Sequence, residues 1–246
     1  MLVFVRVGAM LAIFPVFSST NIPVQLRIAL GALVAYLVSA SLPPLSTAPL
    51  GFGGLIGLFV MEVGIGLLLG FISRMIFYAL DAAGNVLATE IGLMLSADFN
   101  PLSGVRSDAP GMLLNYLAVV LFFTFDMHHL FLLALQRSYN LVPIGAARLS
   151  EILFHDVVAR TAGIFVIAVQ ISAPVIAVSF IVTLVFSVLG RAVPQMNVFG
   201  ESFAFRILAS LTVFGLTLNL TAQHISNYLQ RLPEDVLRVA QLLGAG

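Results

Sequence analysis

The chain has 246 residues, of which 60% are hydrophobic and 9% are charged. Its mean hydropathy is +1.10, whereas an ordinary soluble domain carries about 25% charged residues. Eleven arginines balance eleven acidic residues, and the chain contains no lysine and no cysteine. This composition indicates a membrane protein. It excludes disulfides and thiolate metal sites, and it offers no basic surface on which nucleic acid would bind.

Apolar runs separated by turn residues predict about six helical segments. The runs cover residues 2–17, 28–42, 50–72, 112–135, 157–189 and 207–222. A helix needs about 20 apolar residues to cross a bilayer, and these runs are too uneven in length for six regular spans. We therefore predict an all-α integral membrane protein with one domain over residues 1–246, in which several helices are kinked, re-entrant or buried against other protein.

Residues 73–98 carry polar side chains at helical spacing. Arg74, Asp81 and Asn85 fall on one stripe when successive residues advance by about 100°. The spacing predicts an amphipathic helix. A solvated face explains such a stripe too, but in so apolar a chain we favour a stripe that faces a polar pore or a partner.

Residues 99–111 contain two prolines, two glycines and two serines, a composition typical of a loop. We interpret the loop as a candidate pore plug, with a surface turn as the alternative. Its candidate residues are Asn100, Pro101, Leu102, Ser103 and Arg106. Near the C-terminus, residues 233–243 open with proline and acids and precede a glycine, which predicts a short helix.

Glu62 lies in the middle of an apolar run, where an unpaired charge costs about 2.5 kcal/mol or more in lipid. We favour a structural hydrogen bond or an ion pair with another helix over a proton relay. Two glycine pairs flank Glu62, Gly53 with Gly57 and Gly66 with Gly70. Their spacing lets a second helix approach the backbone closely.

His128 and His129 end an apolar run and follow Asp126 closely. Adjacent histidines point to different faces of a helix, so a metal ion shared with Asp126 would need unusual geometry. We expect neither a metal site nor a cofactor. The common zinc-protease, hydrolase and nucleotide motifs are absent as well, so we expect no enzymatic activity. An intramembrane enzyme that uses His128 or His129 is the weakest alternative.

Gln170 and Pro174 lie inside the long run 157–189, where a proline is expected to free a backbone carbonyl and bend the helix. After that run, Gly190 and Pro194 predict a helix break. Around the break, Arg191, Gln195 and Asn197 offer donors and acceptors for the backbone groups that it exposes. A solvated loop between helices is the alternative.

These residues resemble the family of R components of the bacterial flagellar export gate and of their virulence counterparts, the T components of type III secretion. The strongest similarity is Arg191-x-x-Pro194-Gln195-x-Asn197-x-Phe199. Further similarities follow in family order and cover nearly the whole chain: Arg6 with Phe14-Pro15, Glu62 with Gly66 and Gly70, Asp81 with Gly84, His128-His129, and Gln170 with Pro174. One departure is Asn100-Pro101, where the family often has Asp-Pro.

The resemblance implies an export-gate subunit in the bacterial inner membrane, at the flagellar basal body. It implies one copy that assembles with several copies of the P and Q components into a closed helical pore through which unfolded proteins are secreted, with the B and A components as further partners. Membrane lipid is the other expected contact. In this family the apolar segments form kinked hairpins within the complex, and a pore-occluding element lies near residues 99–111. We favour the flagellar type over the virulence type.

The main alternative function is a proton-coupled transporter of small molecules. Such a transporter would use Glu62 as the proton carrier and a helix broken at Pro174 as the binding site. The absence of a second broken segment at a matching position weakens this alternative.

Overall fold

The structure, a computed structural model, describes residues 1–18, 22–42, 51–93, 108–193, 195 and 197–245. These ranges contain helices and turns and no strand, so the prediction of an all-α membrane protein is confirmed. The helices are α1 (Leu2–Ile13), α2 (Pro15–Ser18), α3 (Val24–Ala40), α4 (Phe52–Ile91), α5 (Ala109–Thr124), α6 (Met127–Leu141), α7 (Glu151–Ala192) and α8 (Val198–Gly244).

Where the structure describes them, the six predicted apolar runs are largely helical, but two of them are divided: the run 2–17 between α1 and α2, and the run 112–135 between α5 and α6. Helix α5 ends at Thr124, and α6 leaves at an angle of 77° to it. Between them Asp126 has a φ of 55°, a left-handed conformation that a helix interior does not contain. Asp126 lies between Phe125 and Met127, with no glycine or proline beside it, so the sequence did not predict this turn.

Three helices are much longer than the predicted segments, with 40 residues in α4, 42 in α7 and 47 in α8. The broken helix that the transporter alternative requires at Pro174 is wrong, because α7 continues through that proline, while the bend expected there stays a prediction. The predicted start of a helix at Pro233 is also wrong, because Pro233 lies inside α8. Buried side chains of Leu232 and Val236 anchor α8 on both sides of this proline, and such tertiary packing overrides local propensity.

Helix α4 includes most of the amphipathic stretch predicted for residues 73–98, so this stretch is not a helix of its own. The helix ends at Ile91, because Gly92 adopts a φ of +90° that favours glycine. The amide of Leu93 then donates to the carbonyl of Ala88 over 2.9 Å and closes the helix end. Likewise Ala109–Gly111, predicted as loop, form the first turn of α5.

The chain divides into two compact units, each assembled from separate stretches of the sequence. The first unit contains residues 1–75, 122–161 and 228–246, and the second contains residues 76–121 and 162–227. The interpretation of residues 1–246 as one domain stays a prediction.

In the first unit, α1 runs parallel to the first half of α4. Gly66 lies against the carbonyl of Arg6, and Gly70 lies against the carbonyl of Met10, where an added Cβ would stand 2.8 Å from the oxygen. The close approach predicted for this glycine pair is therefore confirmed. By contrast, no atom of the described residues lies within 4 Å of the Cβ positions of Gly53 and Gly57.

Ion pairs tie the start of α7 to the end of α8 within the same unit. Arg160 contacts Asp156 at 2.6 Å and Asp235 at 2.5 Å, and Arg238 contacts Asp156 at 3.2 Å. Asp156 and Arg160 are largely buried, so the network is screened less by water and salt than a surface pair would be. Asp235 follows Pro233 by two residues, which helps to explain why α8 continues there.

In the second unit, α4 packs against two other helices through small and polar residues. Gly84 lies directly against Gly111 of the antiparallel helix α5. The hydroxyl of Ser172 on α7 donates to the carbonyl of Ala168 at 2.6 Å and lies 3.5 Å from that of Ala83 on α4. About two helical turns further along both helices, the hydroxyl of Ser179 donates to the carboxylate of Glu90. In both contacts the residue on α7 is 89 positions after the residue on α4, so the two helices run parallel.

The contrast between the two glycine pairs of α4 gives a matched test. We expect Gly66→Ala to lower the stability of the chain by about 1–3 kcal/mol, because the new methyl group overlaps α1 and forces a backbone shift. Thermal unfolding of the purified chain in detergent, followed by circular dichroism, measures this effect.

Gly57→Ala is the control for that substitution. It adds the same methyl group at a position with no neighbour within 4 Å in the described part of the chain, and alanine is favoured over glycine in a helix by about 1 kcal/mol. We expect an unchanged or higher unfolding temperature. Equal effects of the two substitutions would show that α1 does not approach α4 at Gly66.

Candidate functional site

Arg6 and Glu62 form an ion pair that is completely buried in the first unit. Nε of Arg6 donates to Oε2 of Glu62 over 2.6 Å, and Nη2 donates to Oε1 over 3.0 Å. Both side chains have 0% exposure. The two parallel hydrogen bonds have the geometry that gives arginine–carboxylate pairs their strength and specificity.

Groups from the segment after α6 complete the hydrogen bonding of this pair. Nη1 of Arg6 donates to the carbonyl of Val142 over 3.1 Å, and the amide of Gly145 donates to Oε1 of Glu62 over 3.3 Å. The guanidinium carbon of Arg6 lies 4.1 Å from the ring centroid of Tyr139. The hydroxyl of Tyr139 in turn donates to the carbonyl of Val3 over 3.2 Å. The centre therefore joins α1, α4, α6 and the turn after α6.

This arrangement suits a structural role better than a proton relay. A relay needs a carboxyl group that exchanges protons with water or with a chain of titratable groups. Glu62 is fully buried, and both of its oxygens accept hydrogen bonds from Arg6. Both carboxylate oxygens are therefore occupied by Arg6, and the side chain has no contact with water through which a proton could be exchanged.

The partner of Glu62 was missed at the level of the sequence. Arg6 and Glu62 each stand alone as a charge in an apolar run, and their signs are opposite. That pattern could have suggested the pair. Tyr139, Val142 and Gly145 carry no comparable signal, because their part in the centre depends on the turn between α6 and α7.

The polar stripe of α4 is partly used inside the chain. In the first unit, Nη1 of Arg74 donates to the carbonyl of Ile13 over 3.2 Å. In the second unit, Asp81 accepts a hydrogen bond of 2.7 Å from Nδ2 of Asn115 on α5. Asn85 and Thr89 of the same stripe are exposed. That these exposed groups face a pore or a partner stays a prediction.

The turn between α7 and α8 closes a helical hairpin. Arg206 donates to the hydroxyl of Thr183 over 2.9 Å, and the rings of Phe186 and Phe205 lie 5.4 Å apart. Since the residue numbers rise on one helix as they fall on the other, the two helices are antiparallel. A hairpin at this position matches the interpretation drawn from the resemblance.

The residues predicted to support the turn have different roles. Oδ1 of Asn197 accepts a hydrogen bond of 3.3 Å from the amide of Gly200 and caps α8. Arg191 and Gln195 are exposed, and within the described ranges we observe no hydrogen bond from Arg191 to a freed carbonyl. Pro194 and the side chain of Phe199 lie outside the described residues. Gln170 is exposed on α7, one turn before Pro174.

The candidate plug residues lie outside the described residues. These are Asn100, Pro101, Leu102, Ser103 and Arg106. The plug interpretation of the loop stays a prediction.

The long helices present a large apolar surface. Three of them, α4, α7 and α8, are long and apolar enough to cross a membrane, and the bent pair α5–α6 makes a fourth candidate span. In their most apolar windows only 33%, 28% and 11% of residues, respectively, are buried within the chain. Ile152, Phe165 and Val188 on α7 are each 68% exposed. Lipid or other protein must cover this surface.

Comparison with known proteins gives one family and several relatives. Residues 1–232 match the family of bacterial export proteins, family 1. The chain is 30% identical over 240 residues to the flagellar biosynthetic protein FliR of Pectobacterium carotovorum subsp. carotovorum, which covers 95% of this chain and 90% of the relative. It is 31% identical over 220 residues to FliR of Caulobacter vibrioides, which covers 89% and 87%, respectively.

A relative from a virulence system is similar as well. The surface presentation of antigens protein SpaR of Shigella flexneri is 27% identical over 218 residues, which covers 86% of this chain and 81% of SpaR. The two flagellar relatives named above have higher identities, of 30% and 31%.

Removing one member of the Arg6–Glu62 pair should destabilise the chain strongly. We expect Arg6→Ala and Glu62→Ala each to lower the free energy of unfolding by about 3–5 kcal/mol, because each leaves the other charge buried and unpaired. The measurement is chemical or thermal unfolding of the purified chain in detergent.

The double variant Arg6→Met with Glu62→Leu distinguishes a lost charge pair from lost packing. It replaces both charges with apolar side chains, so we expect it to be more stable than either single variant. Additive losses in the double variant would contradict the charge-pair account.

Asp108, immediately before α5, should make the second unit sensitive to pH. Burial raises the pKa of Asp108 above its ordinary value of 3.8 and nearby Asp81 raises it further, while the amide of Gly111 lowers it. A carboxyl whose pKa is raised on folding favours the folded state only while it is protonated. Stability should therefore fall as the pH rises from 3.8 through the raised pKa.

Asp108→Asn should remove this loss of stability, and Asp81→Asn should reduce it. The unfolding temperature measured across this pH range provides the test. A wild-type pH dependence that persists in Asp108→Asn would contradict the assignment.

Proposed function

The chain belongs to family 1 of the bacterial export proteins and is a component of the flagellar type III export apparatus. Within this apparatus, we propose that it is a gate subunit embedded among other subunits. The family membership and the flagellar relatives support the apparatus and its type. The role within the apparatus depends on the structure of the long helices.

The observation that carries the proposal is the length of the exposed apolar surface on α7. Ile152 and Val188, both 68% exposed, are separated by about 54 Å along a helix with a rise of 1.5 Å per residue. The hydrocarbon core of a bilayer is about 30 Å thick. Even a helix tilted by about 40° needs only about 39 Å to cross it.

The bilayer therefore cannot cover all of this surface. The apolar side chains beyond its edge would stand in water, which is unfavourable at about 25 cal/mol for each Å² exposed. Other protein chains that pack along α7 remove this cost. A subunit held inside a larger helical assembly explains why α7 exposes apolar side chains near both of its ends, over a length of helix greater than the thickness of a bilayer.

We propose that the covering chains are the P and Q components of the gate, with the B and A components as further neighbours. The assembly would form a pore for unfolded secreted proteins in the inner membrane at the flagellar basal body. The hairpin of α7 and α8 offers these partners a long, exposed apolar face. Membrane lipid would cover the rest.

The transporter alternative gains no support from the described residues. Its broken helix is absent, because α7 is continuous through Pro174. Its proton carrier is unavailable, because Glu62 is buried and paired with Arg6.

Cysteine labelling tests the proposal. The chain contains no cysteine, so Ile152→Cys and Val188→Cys each introduce one thiol without background from this chain. Because about 54 Å of helix separates these positions, we expect at least one of them to lie beyond the hydrocarbon core. In membranes with this chain alone, we expect a water-soluble maleimide to label that position. In membranes with the whole export apparatus, the same position should be protected.

Ala168→Cys is the matched control, since Ala168 on the same helix is 3% exposed. It should stay unlabelled in both membranes and react after denaturation. Equal labelling of Ile152→Cys and Val188→Cys with and without the apparatus would contradict the proposed role.

A further inference from the structure

Asp126, His128 and His129 come together at the corner between α5 and α6. One ligand atom from each residue can be chosen so that all three lie within 4.8 Å of one another. Nδ1 of His129 is 3.7 Å from Oδ1 of Asp126, and the two imidazole ring centroids are 4.1 Å apart. The expectation that adjacent histidines diverge does not hold at this corner.

The left-handed conformation of Asp126 is associated with this convergence. Its φ of 55° turns the chain at the residue before α6, so Asp126 and the histidines do not follow ordinary helical spacing. Aspartate is among the few residues with a side chain that occupy this conformation readily. Although Asp126 occupies the cap position of α6, its side chain makes no capping hydrogen bond. The carboxylate is therefore available to a ligand.

His128 supplies a second, independent observation. Its Nδ1 atom is buried and, among the residues that the structure describes, has no hydrogen-bond partner. Buried polar atoms are almost always bonded, so an exception requires an explanation. The ring centroids of Phe122 and Phe123 lie 6.5 Å and 5.4 Å from that of the imidazole, so its surroundings are partly apolar.

We propose that Asp126, His128 and His129 bind one divalent transition-metal ion. Two imidazole nitrogens and one carboxylate oxygen form a ligand set suited to Zn²⁺, with a fourth position open to water or to another chain. Tetrahedral Zn²⁺ with bonds of about 2.0–2.1 Å holds its ligand atoms about 3.3 Å apart. In the structure the ligand atoms lie within 4.8 Å of one another, so they must move closer to bind the ion. Asp126 and His129 are 75% and 68% exposed, which leaves their side chains free to make this movement.

The bound ion would connect Asp126, immediately before α6, to two residues in the first turn of α6. The three ligands belong to the first unit. The inference does not depend on the proposed role in export, and its test needs only the purified chain.

Zinc binding to the full-length chain in detergent tests the inference. The chain carries a purification tag without histidine, is stripped with a chelator, and is dialysed against increasing Zn²⁺. Metal content is measured by mass spectrometry, and Co²⁺ replaces Zn²⁺ in a parallel sample for absorption spectroscopy. We expect saturation at one ion per chain, a Co²⁺ spectrum with imidazole ligation, and an unfolding temperature that rises with Zn²⁺.

Loss of one ligand should weaken binding greatly. Removal of a group that only supports a metal ligand costs about 10-fold or more in affinity, so we expect at least about tenfold weaker binding for His128→Gln and His129→Gln. Asp126→Asn should also bind more weakly. His129 is exposed, so His129→Gln should keep the metal-free unfolding temperature of the wild type.

His155→Gln is the matched control. His155 lies 3.7 Å from Glu151 and is 74% exposed, so it repeats one histidine–carboxylate contact of the corner. It belongs to no group of three possible ligands among the described residues. We expect wild-type binding from this variant. Wild-type binding by both His128→Gln and His129→Gln, or lost binding in His155→Gln, would overturn the inference.

Discussion

The limited thickness of the bilayer is the constraint on which the rest of the structure depends. A hydrocarbon core of about 30 Å covers only part of α7, which exposes apolar side chains from Ile152 to Val188. What lipid leaves uncovered must be covered by protein. The chain has eight helices in its described ranges, but in the most apolar window of α8 it buries only 11% of the residues. Its own packing is therefore only part of the final structure, which is consistent with a component of the type III export apparatus.

Inside the first unit, the same apolar environment explains the Arg6–Glu62 centre. A charge surrounded by apolar side chains is tolerated only with an opposite charge and complete hydrogen bonding. Arg6 meets both conditions through Glu62 and the carbonyl of Val142. Gly66, one turn after Glu62, lets α1 come close enough for this contact. The charge pair and the glycine therefore act together: the glycine permits the approach, and the pair determines which faces meet.

Sequence patterns predicted much of the fold, because apolar runs between turn residues are governed by local chemistry. They predicted the helical segments and the need of Glu62 for a partner. They did not predict Arg6 as that partner, because 56 positions separate the two residues and only the packing of α1 on α4 brings them together. A helix broken at Pro174 and a helix start at Pro233 were wrong, because buried neighbours on both sides of each proline keep the chain helical there. The convergence of Asp126 with the histidines was missed, because a positive φ is not visible in the pattern.

The most direct test of the account is the position of the membrane along α7 in the assembled apparatus. Electron cryomicroscopy of the apparatus in lipid nanodiscs would show the lipid belt and the subunits that contact the helix. The account predicts a belt of about 30 Å that covers at most one end of the stretch from Ile152 to Val188, with neighbouring subunits packed on the remainder. A lipid belt that contacts both residues, or an apolar end of α7 that is bare in water, would contradict it.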